Sequence, residues 1–550
     1  MGLTRRQFLT RVGQAGGYSA AVVAMQGFGL FPTYASASTP NLAAAPNSGK
    51  GVRVAILGGG IGGLVAAYEL RELGYEVTLL EARSRPGGRN WTVRGGDTVE
   101  FLDGTKQHCT WDAGHYQNFG PARLPSVHKL MLGYAKKLGV ELQVEVNTTR
   151  SSFLQNDNAN GGKPVQQRQA INDTRGHVSE LLMKSIKGGS LDQEMTKQDR
   201  ERMLDFLSLY GPLDKTGKYA GSDRAGYAIA PGAGEQTGKL LEPLDMHTLL
   251  DASFWDGMLF EETFDWQATM FQPVGGMDRI PYAFAKSLGS IVKYNSPVTE
   301  IRKTAKGVRI GYESEGKAHQ LEADFCICGL PLSLLKKIPN DLSKPVQNII
   351  SECTYGDAYK IAWESRRFWE QDYNVYGGLE FVNVGCSPVW FPSEGFFKER
   401  GVFVSGYTEE HTTPLVMMPL EGKLAESRKS IERLHPGHGK ELEKPMYLNW
   451  AQIKWNEGSW IDTYGAGQGR NASAVTQGSG RATARVIAPN QENYEILLKA
   501  DDRIFLTGDH MSHLVGWQEG AAESSHRVIR LIEDRVKQAR VATQTDKIFA

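Results

Sequence analysis

A chain of 550 residues is long enough for two or three domains and a large core. Lysine plus arginine equal aspartate plus glutamate, 62 against 62, so no bulk charge draws the chain to nucleic acid or to an anionic membrane. Five cysteines without a CxxC pair argue against a disulfide framework, and twelve histidines without ligand spacing argue against a metal site.

Residues 1–37 read as a targeting segment rather than as fold. Arg5 and Arg6 precede Phe8 and Leu9, a mildly apolar stretch runs from Ala20 to Phe31, and Ala35 to Ala37 form an Ala-x-Ala cleavage pattern. The apolar stretch is short of the roughly 20 residues a membrane span needs. Gln26, Gly27 and Gly29 also interrupt it, so no stable span is expected. The segment resembles a twin-arginine export signal. That route carries folded proteins, and the expected destination is the periplasm or the exterior. Residues 38–50 are a polar, small-residue linker.

Val52 to Leu57 predict a short strand. Gly58, Gly60 and Gly63 supply a GxGxxG turn, and an apolar helix follows from Leu64. Glycine permits the tight turn, and the helix N-terminus offers free N–H groups to a pyrophosphate. A second strand ends in Glu81, 18 residues after Gly63. Its carboxylate can accept both ribose hydroxyls of an adenosine, so the whole unit predicts a dinucleotide site. Further on, the pattern predicts a helix over about Val127 to Leu138, a loop over 155–175 and charged helices within 176–270. Strands are predicted through 290–330, where Cys326 and Cys328 alternate in an apolar run, and again through 352–407. Residues 465–480 read as a glycine-rich insertion, and a last strand leads to a helix from about Gln518.

The residues after Glu81 separate NAD from FAD. Arg83 is followed by RPGGR, Arg85 to Arg89, a second glycine pair with a cation placed for a pyrophosphate. The run LLEARSRPGGR resembles the FAD cradle of the flavin amine oxidases, a family that includes monoamine, polyamine and L-amino acid oxidases. Arg503 to Ile529 is similar to that family's closing motif, with Gly508–Asp509 followed by Gly516–Trp517. Asp509 stands where the family usually has glutamate. The likeness runs from about residue 52 to 535, the insertion excepted. It implies an α/β fold in which a Rossmann-type FAD-binding domain of the GR2-like flavin amine oxidase kind is interleaved with a mixed-sheet substrate domain and a helical insertion. The expected divisions are 51–99, 272–345 and 481–535 for FAD binding, 100–154 and 346–480 for substrate, and 155–271 for the helical part. FAD is expected to be non-covalent, because no Ser-Gly-Gly-Cys-Tyr attachment run is present. The residues expected around it are Gly58, Gly60, Gly63, Glu81, Ala82, Arg83, Gly88 and Arg89, then Gly120, Ala122, Arg123, Val298 and Trp455, and finally Gly508, Asp509, Trp517 and Gln518.

Three further stretches bear on the substrate. NFGPARLP, Asn118 to Pro125, is similar to the segment of L-amino acid oxidases that carries the carboxylate-binding arginine, here Arg123. A guanidinium suits that task, because it meets a carboxylate in a planar fork and stays charged when buried. In VFVSGYTEE the family's second carboxylate partner falls on Tyr407, with a one-residue slip placing it at Gly406. Lys360 lies in an otherwise apolar strand, where the resemblance gives it a water near flavin N5; the alternative is a solvent-facing lysine. Gly516 and Trp517 fall on the substrate amine side, and Trp455 and Trp460 stand in an aromatic-rich stretch. The histidine that some family members use near substrate has no match, since Phe264, Trp266, Gln267 and Met270 occupy its region. The resemblance implies an L-amino acid oxidase that passes a Cα hydride to flavin N5 and uses dioxygen and water to give 2-oxo acid, ammonia and hydrogen peroxide. A homo-oligomer, a dimer, is expected. The competing readings are an amine or polyamine oxidase, a decarboxylating amino-acid monooxygenase, and a flavin-fold binding protein without activity.

Overall fold

The computed structural model describes residue 42 and residues 47–409, 414–465 and 491–549. The segment expected to direct export, residues 1–37, therefore lies outside the described residues, as does almost all of the 465–480 insertion.

Arg53–Leu57 buries four of its five residues and pairs in parallel with Glu76–Leu80 on one side and Phe325–Cys328 on the other. Val292–Lys293 flanks the first neighbour and Ile504–Leu506 the second, also in parallel, which completes a five-stranded sheet. Both faces are covered, so the strands read as continuous apolar runs. Val54, Ile56, Phe325 and Ile327 pack into one core, while Ala55, Leu57, Cys326 and Cys328 pack into another. The helix Ile61–Glu72 is buried from Ile61 through Leu70 because it lies between the sheet and the helices Arg279–Leu288 and Gln518–Phe549. An antiparallel sheet of Val298–Lys303, Val308–Ser314 and Lys317–Ala323 covers part of the opposite side.

The second large sheet has seven strands. Their order is Glu443–Asn449, Ala358–Arg366, Arg400–Glu409, Val389–Phe391, Gly378–Val382, Phe153–Gln155 and Val165–Gln166. Only the Gly378–Val382 and Phe153–Gln155 pair is parallel. Its core is rich in aromatic residues, with Trp363, Trp369, Phe368 and Phe391 almost fully buried. The helices Gln167–Lys187 and Lys197–Tyr210 pack on each other beside it.

Two local expectations change. The loop expected over 155–175 already contains the strand Val165–Gln166 and the start of the helix at Gln167. Its polar residues are tertiary anchors rather than solvent-facing turn formers. Asp173 is fully buried and accepts from the Tyr219 hydroxyl at 2.6 Å and the Leu244 amide at 2.8 Å. The helices expected through 176–270 are interrupted by a strand pair, Tyr227–Ile229 with Lys239–Leu240. Among the described residues no helix is long and apolar enough to cross a membrane.

Candidate active site

The strand-to-helix turn after Leu57 opens one end of a cavity of about 820 Å³. Gly60 caps the helix Ile61–Glu72 in extended conformation without a side-chain cap, so the first N–H groups of that helix are open to the cavity. A methyl group on Gly63 would lie 2.0 Å from the Gly58 carbonyl oxygen. Gly63 therefore lets the helix pack on its strand. It is absent from the cavity wall, which corrects its expected place among the cofactor contacts. Glu81 is buried, with Oε2 accepting from the Gly59 amide at 2.7 Å and Oε1 from the Arg83 amide at 2.8 Å. Each oxygen keeps a free lone pair, so the fixed carboxylate can still accept two hydroxyls.

Two arginines tie distant segments to this cradle. Arg83 donates to the Lys454 carbonyl at 2.6 Å and to Asn456 Oδ1 at 2.5 Å, holding the turn in which Trp455 stands. Arg89 forms a two-bond fork with Asp509 and also donates to the Ser459 carbonyl. Burial alone would raise the Asp509 carboxyl, but Arg89 and the Gly516 amide at 3.0 Å hold it below the usual range. The aspartate that replaces the expected glutamate is thus engaged by protein on both oxygens. At Gly120 a methyl group would lie 1.7 Å from the Arg89 carbonyl oxygen, so only glycine lets the 118–123 segment close over the cradle. Gly58, Ala82, Gly88, Ala122, Val298 and Gly508 line the same cavity. Gln518 lines it too, and takes the Asn90 amide N–H at 2.6 Å.

The far end of the cavity is walled by the seven-stranded sheet. Lys360 and Tyr407 are register partners there, and both line the cavity. Lys360 is only 2% exposed, which removes the solvent-facing alternative. Its Nζ donates to the carbonyls of Asn118 at 2.7 Å and Gly120 at 2.8 Å, and burial, then the nearby Arg123 charge, push its pKa well below the ordinary value. A methyl group on Gly406 would lie 2.8 Å from Cys386 Cβ, so the slipped alignment places no side chain at the cavity. Arg123 is buried, and its Nη1 donates to Asn147 Oδ1. Its guanidinium carbon lies 4.3 Å from the Trp266 ring centre and 4.4 Å from that of Trp390. It forms no ion pair among the described residues, and it faces the cavity.

Trp517 follows Gly516 on the loop pinned by Asp509, 6.0 Å from Trp266. Behind it is His128, 4.8 Å away and edge-on. Both His128 ring nitrogens lack hydrogen-bond partners among the described residues, and burial pushes its pKa down to about 4. Asp265 lies 3.6 Å away, beyond hydrogen-bond reach, and does not offset that burial. Of the four residues in the histidine-free region, only Trp266 lines the cavity. Gln267 holds Ser126, Met270 is core, and Phe264 is exposed. Trp460 also lines the cavity and donates to Glu409 at 2.9 Å. Sequence reading missed Asn147, Glu145, Trp390 and His128. No motif marks them, and only contact with Arg123 or Trp517 gives them meaning.

Residues 61–532 match the model of the flavin containing amine oxidoreductases. The chain belongs to that family. A second match, over residues 15–98, is to the pyridine nucleotide-disulphide oxidoreductases and falls on the cradle. Among curated proteins, the chain is 24% identical to an L-amino-acid oxidase of Pseudechis australis, over 86% of this chain and 85% of that one. It is also 24% identical to a flavin-dependent L-tryptophan oxidase of Lentzea aerocolonigenes, over 88% and 98%. Among solved structures it resembles a putrescine oxidase bound to putrescine, with TM-score 0.55 and 18% identity over 88% of this chain and 98% of that one. It also resembles cyclohexylamine oxidase from Brevibacterium oxydans, with TM-score 0.56 and 14% identity over 88% and 99%.

As a flavin amine oxidoreductase, the chain must hold a flavin, and its residues fit one. The cradle combines an uncapped helix N-terminus, a fixed buried carboxylate and a glycine-only approach at Gly120. The cavity then runs without a break to Lys360 and Trp517.

Proposed function

We propose that this flavin-dependent oxidoreductase is an L-amino acid oxidase, converting an L-amino acid, dioxygen and water to a 2-oxo acid, ammonia and hydrogen peroxide. The observation that carries the reading is Arg123, a buried guanidinium that lies against the rings of both Trp266 and Trp390 and is turned to the cavity. A buried cation with no carboxylate in direct contact is costly, and a substrate carboxylate is the anion that can bond it directly. Glu81 and the open turn at Gly60 would hold the adenosine and pyrophosphate of FAD. No cysteine lines the cavity, in keeping with a non-covalent flavin. When bound, FAD supplies the acceptor for the Cα hydride and the route of its electrons to dioxygen.

The protein's own part is alignment. Arg123 and Tyr407 fix the carboxylate, while Gly516 and Trp517 bound the amine side. Reacting atoms held within about 3.5 Å need no further help from a base on Cα once the amine is neutral. The depressed pKa of Lys360 suits this, because it lessens the repulsion that a charged lysine would exert on the substrate amine. The imino acid then hydrolyses. Peroxide release from the common L-amino acids, compared with the corresponding amines that lack the carboxylate, tests the reading. Preference for the amines would defeat it.

We also propose that residues 1–37 direct export by the twin-arginine route. Replacing Arg5 and Arg6 with lysine should leave active, yellow protein in the cytoplasm, and undiminished export would count against it.

A further inference from the structure

The strand Leu142–Val146 reads LQVEV, an alternation that would bury the valines and expose Glu145. The structure inverts it, with Val144 48% exposed and Glu145 2%. A carboxylate brought inside at that cost should have a purpose, and its surroundings are those of Arg123. Glu145 Oε1 accepts the indole N–H of Trp390 at 3.0 Å, and Arg123 stacks on that same ring. Two residues on, Asn147 takes a guanidinium N–H of Arg123. Glu145 Oε2 has no hydrogen-bond donor among the described residues, and Glu145 stands outside the cavity lining.

We propose that Glu145 is a positioning residue that shares Arg123 with the substrate: it is the counter-charge of the guanidinium until a carboxylate binds, and it then takes up one proton from solvent. The inference rests on the amino-acid reading above. Four influences meet at Glu145. Burial raises its pKa most. Arg123 lowers it, the Trp390 N–H lowers it, and the half-buried carboxyl Glu394, which accepts from Gln272 at 3.1 Å, raises it. Together they bring it to about 7. A substrate carboxylate on Arg123 cancels much of the one strong lowering influence, leaving burial and Glu394 in charge. Binding then protonates Glu145. Carboxylate affinity must therefore fall as pH rises between the free and bound pKa values, by up to about tenfold per pH unit.

Benzoate supplies the carboxylate with no amine to oxidise. Calorimetric titration of benzoate into flavin-loaded enzyme, near pH 7.5 in two buffers of different ionisation enthalpy, counts the protons exchanged. The expected result is net proton uptake by the wild type. Glu145→Gln keeps an acceptor for the Trp390 N–H, and it should show no uptake and an affinity that is flat across neutral to alkaline pH. Arg123→Ala should bind benzoate at least tenfold more weakly. Arg123-dependent binding with no proton uptake, or with the same uptake in Glu145→Gln, overturns the role of Glu145 alone. Benzoate binding that ignores Arg123→Ala overturns the amino-acid reading itself. Should Glu145→Gln not fold, the wild-type titration still decides, since absent uptake refutes the coupling.

Discussion

Lys360 and Tyr407 are partners across two antiparallel strands, and the lysine nitrogen lies 4.8 Å from the centre of the tyrosine ring. The same nitrogen closes the 118–120 segment against the sheet through two carbonyls. Lys360→Met keeps the bulk and leaves both buried carbonyls without their donor, at roughly 1–3 kcal/mol each. The variant is expected to keep its flavin, melt at lower temperature and turn over more slowly. Stopped-flow spectroscopy separates flavin reduction from reoxidation. If both rates equal those of the wild type, the lysine serves only the fold.

Arg123→Ala removes the proposed carboxylate clamp. Charged hydrogen bonds contribute roughly 1.5–3 kcal/mol each, so a loss of about 3 kcal/mol is expected in transition-state binding. That is roughly a hundredfold in kcat/KM for L-amino acids. Arg123→Lys should recover little, because a point charge copies neither the fork nor the contact of a flat guanidinium with two indoles. The matching amine should lose far less. Equal losses for acid and amine, with flavin content normalised, would place Arg123 in the fold rather than the site.

Two glycines of one motif should fail in different ways. Gly63→Ala drives a methyl group into the Gly58 carbonyl and should lower stability by several kcal/mol or abolish folding. At Gly60 an added methyl meets no protein atom within 4 Å. Gly60→Ala should therefore fold with an unchanged flavin-free melting temperature but carry less flavin, read from the ratio of visible to ultraviolet absorbance. Full flavin occupancy in Gly60→Ala would show that the cofactor does not approach that turn.

His128 gives a prediction in pH. Its pKa is about 4 in the fold against 6.5 in the open chain, so the unfolded state binds the extra proton. Its neutral burial is without penalty above pH 6.5 and costs progressively more down to pH 4, to a total of about 3 kcal/mol. His128→Phe, which keeps an edge-on ring for Trp517, should match the wild type at pH 8 and gain on it steadily below pH 6.5. Parallel melting curves for the two proteins across that interval would refute the assignment.

The cradle was legible because its chemistry is local. A strand, three glycines, a helix and a second strand ending in Glu81 occupy 30 consecutive residues, Val52 to Glu81. Lys360 was legible for a similar reason, since a cation in an apolar strand is conspicuous. Glu145 was not, because the alternation of its strand points it outward on paper and only the neighbouring Trp390 and Arg123 explain its inward turn. Asp173 and Asn172 misled in the same way, since polar residues used as tertiary anchors look like loop. His128 only precedes the helix Lys129–Lys137 without capping it, and gains interest only from Trp517, which is far away in sequence.

The five-stranded sheet takes its members from residues 53, 76, 292, 325 and 504 onward. A ribosome has thus finished four of the five strands long before the last one emerges. Until it does, Phe325–Cys328, four consecutive buried residues, is an open edge with unpaired backbone groups. Such an edge is a template for association between nascent chains. Synthesis that stalls before residue 504 should therefore yield aggregates rather than a partly working enzyme. The Arg89–Asp509 fork, joining residues 420 positions apart, is among the last contacts the growing chain can make.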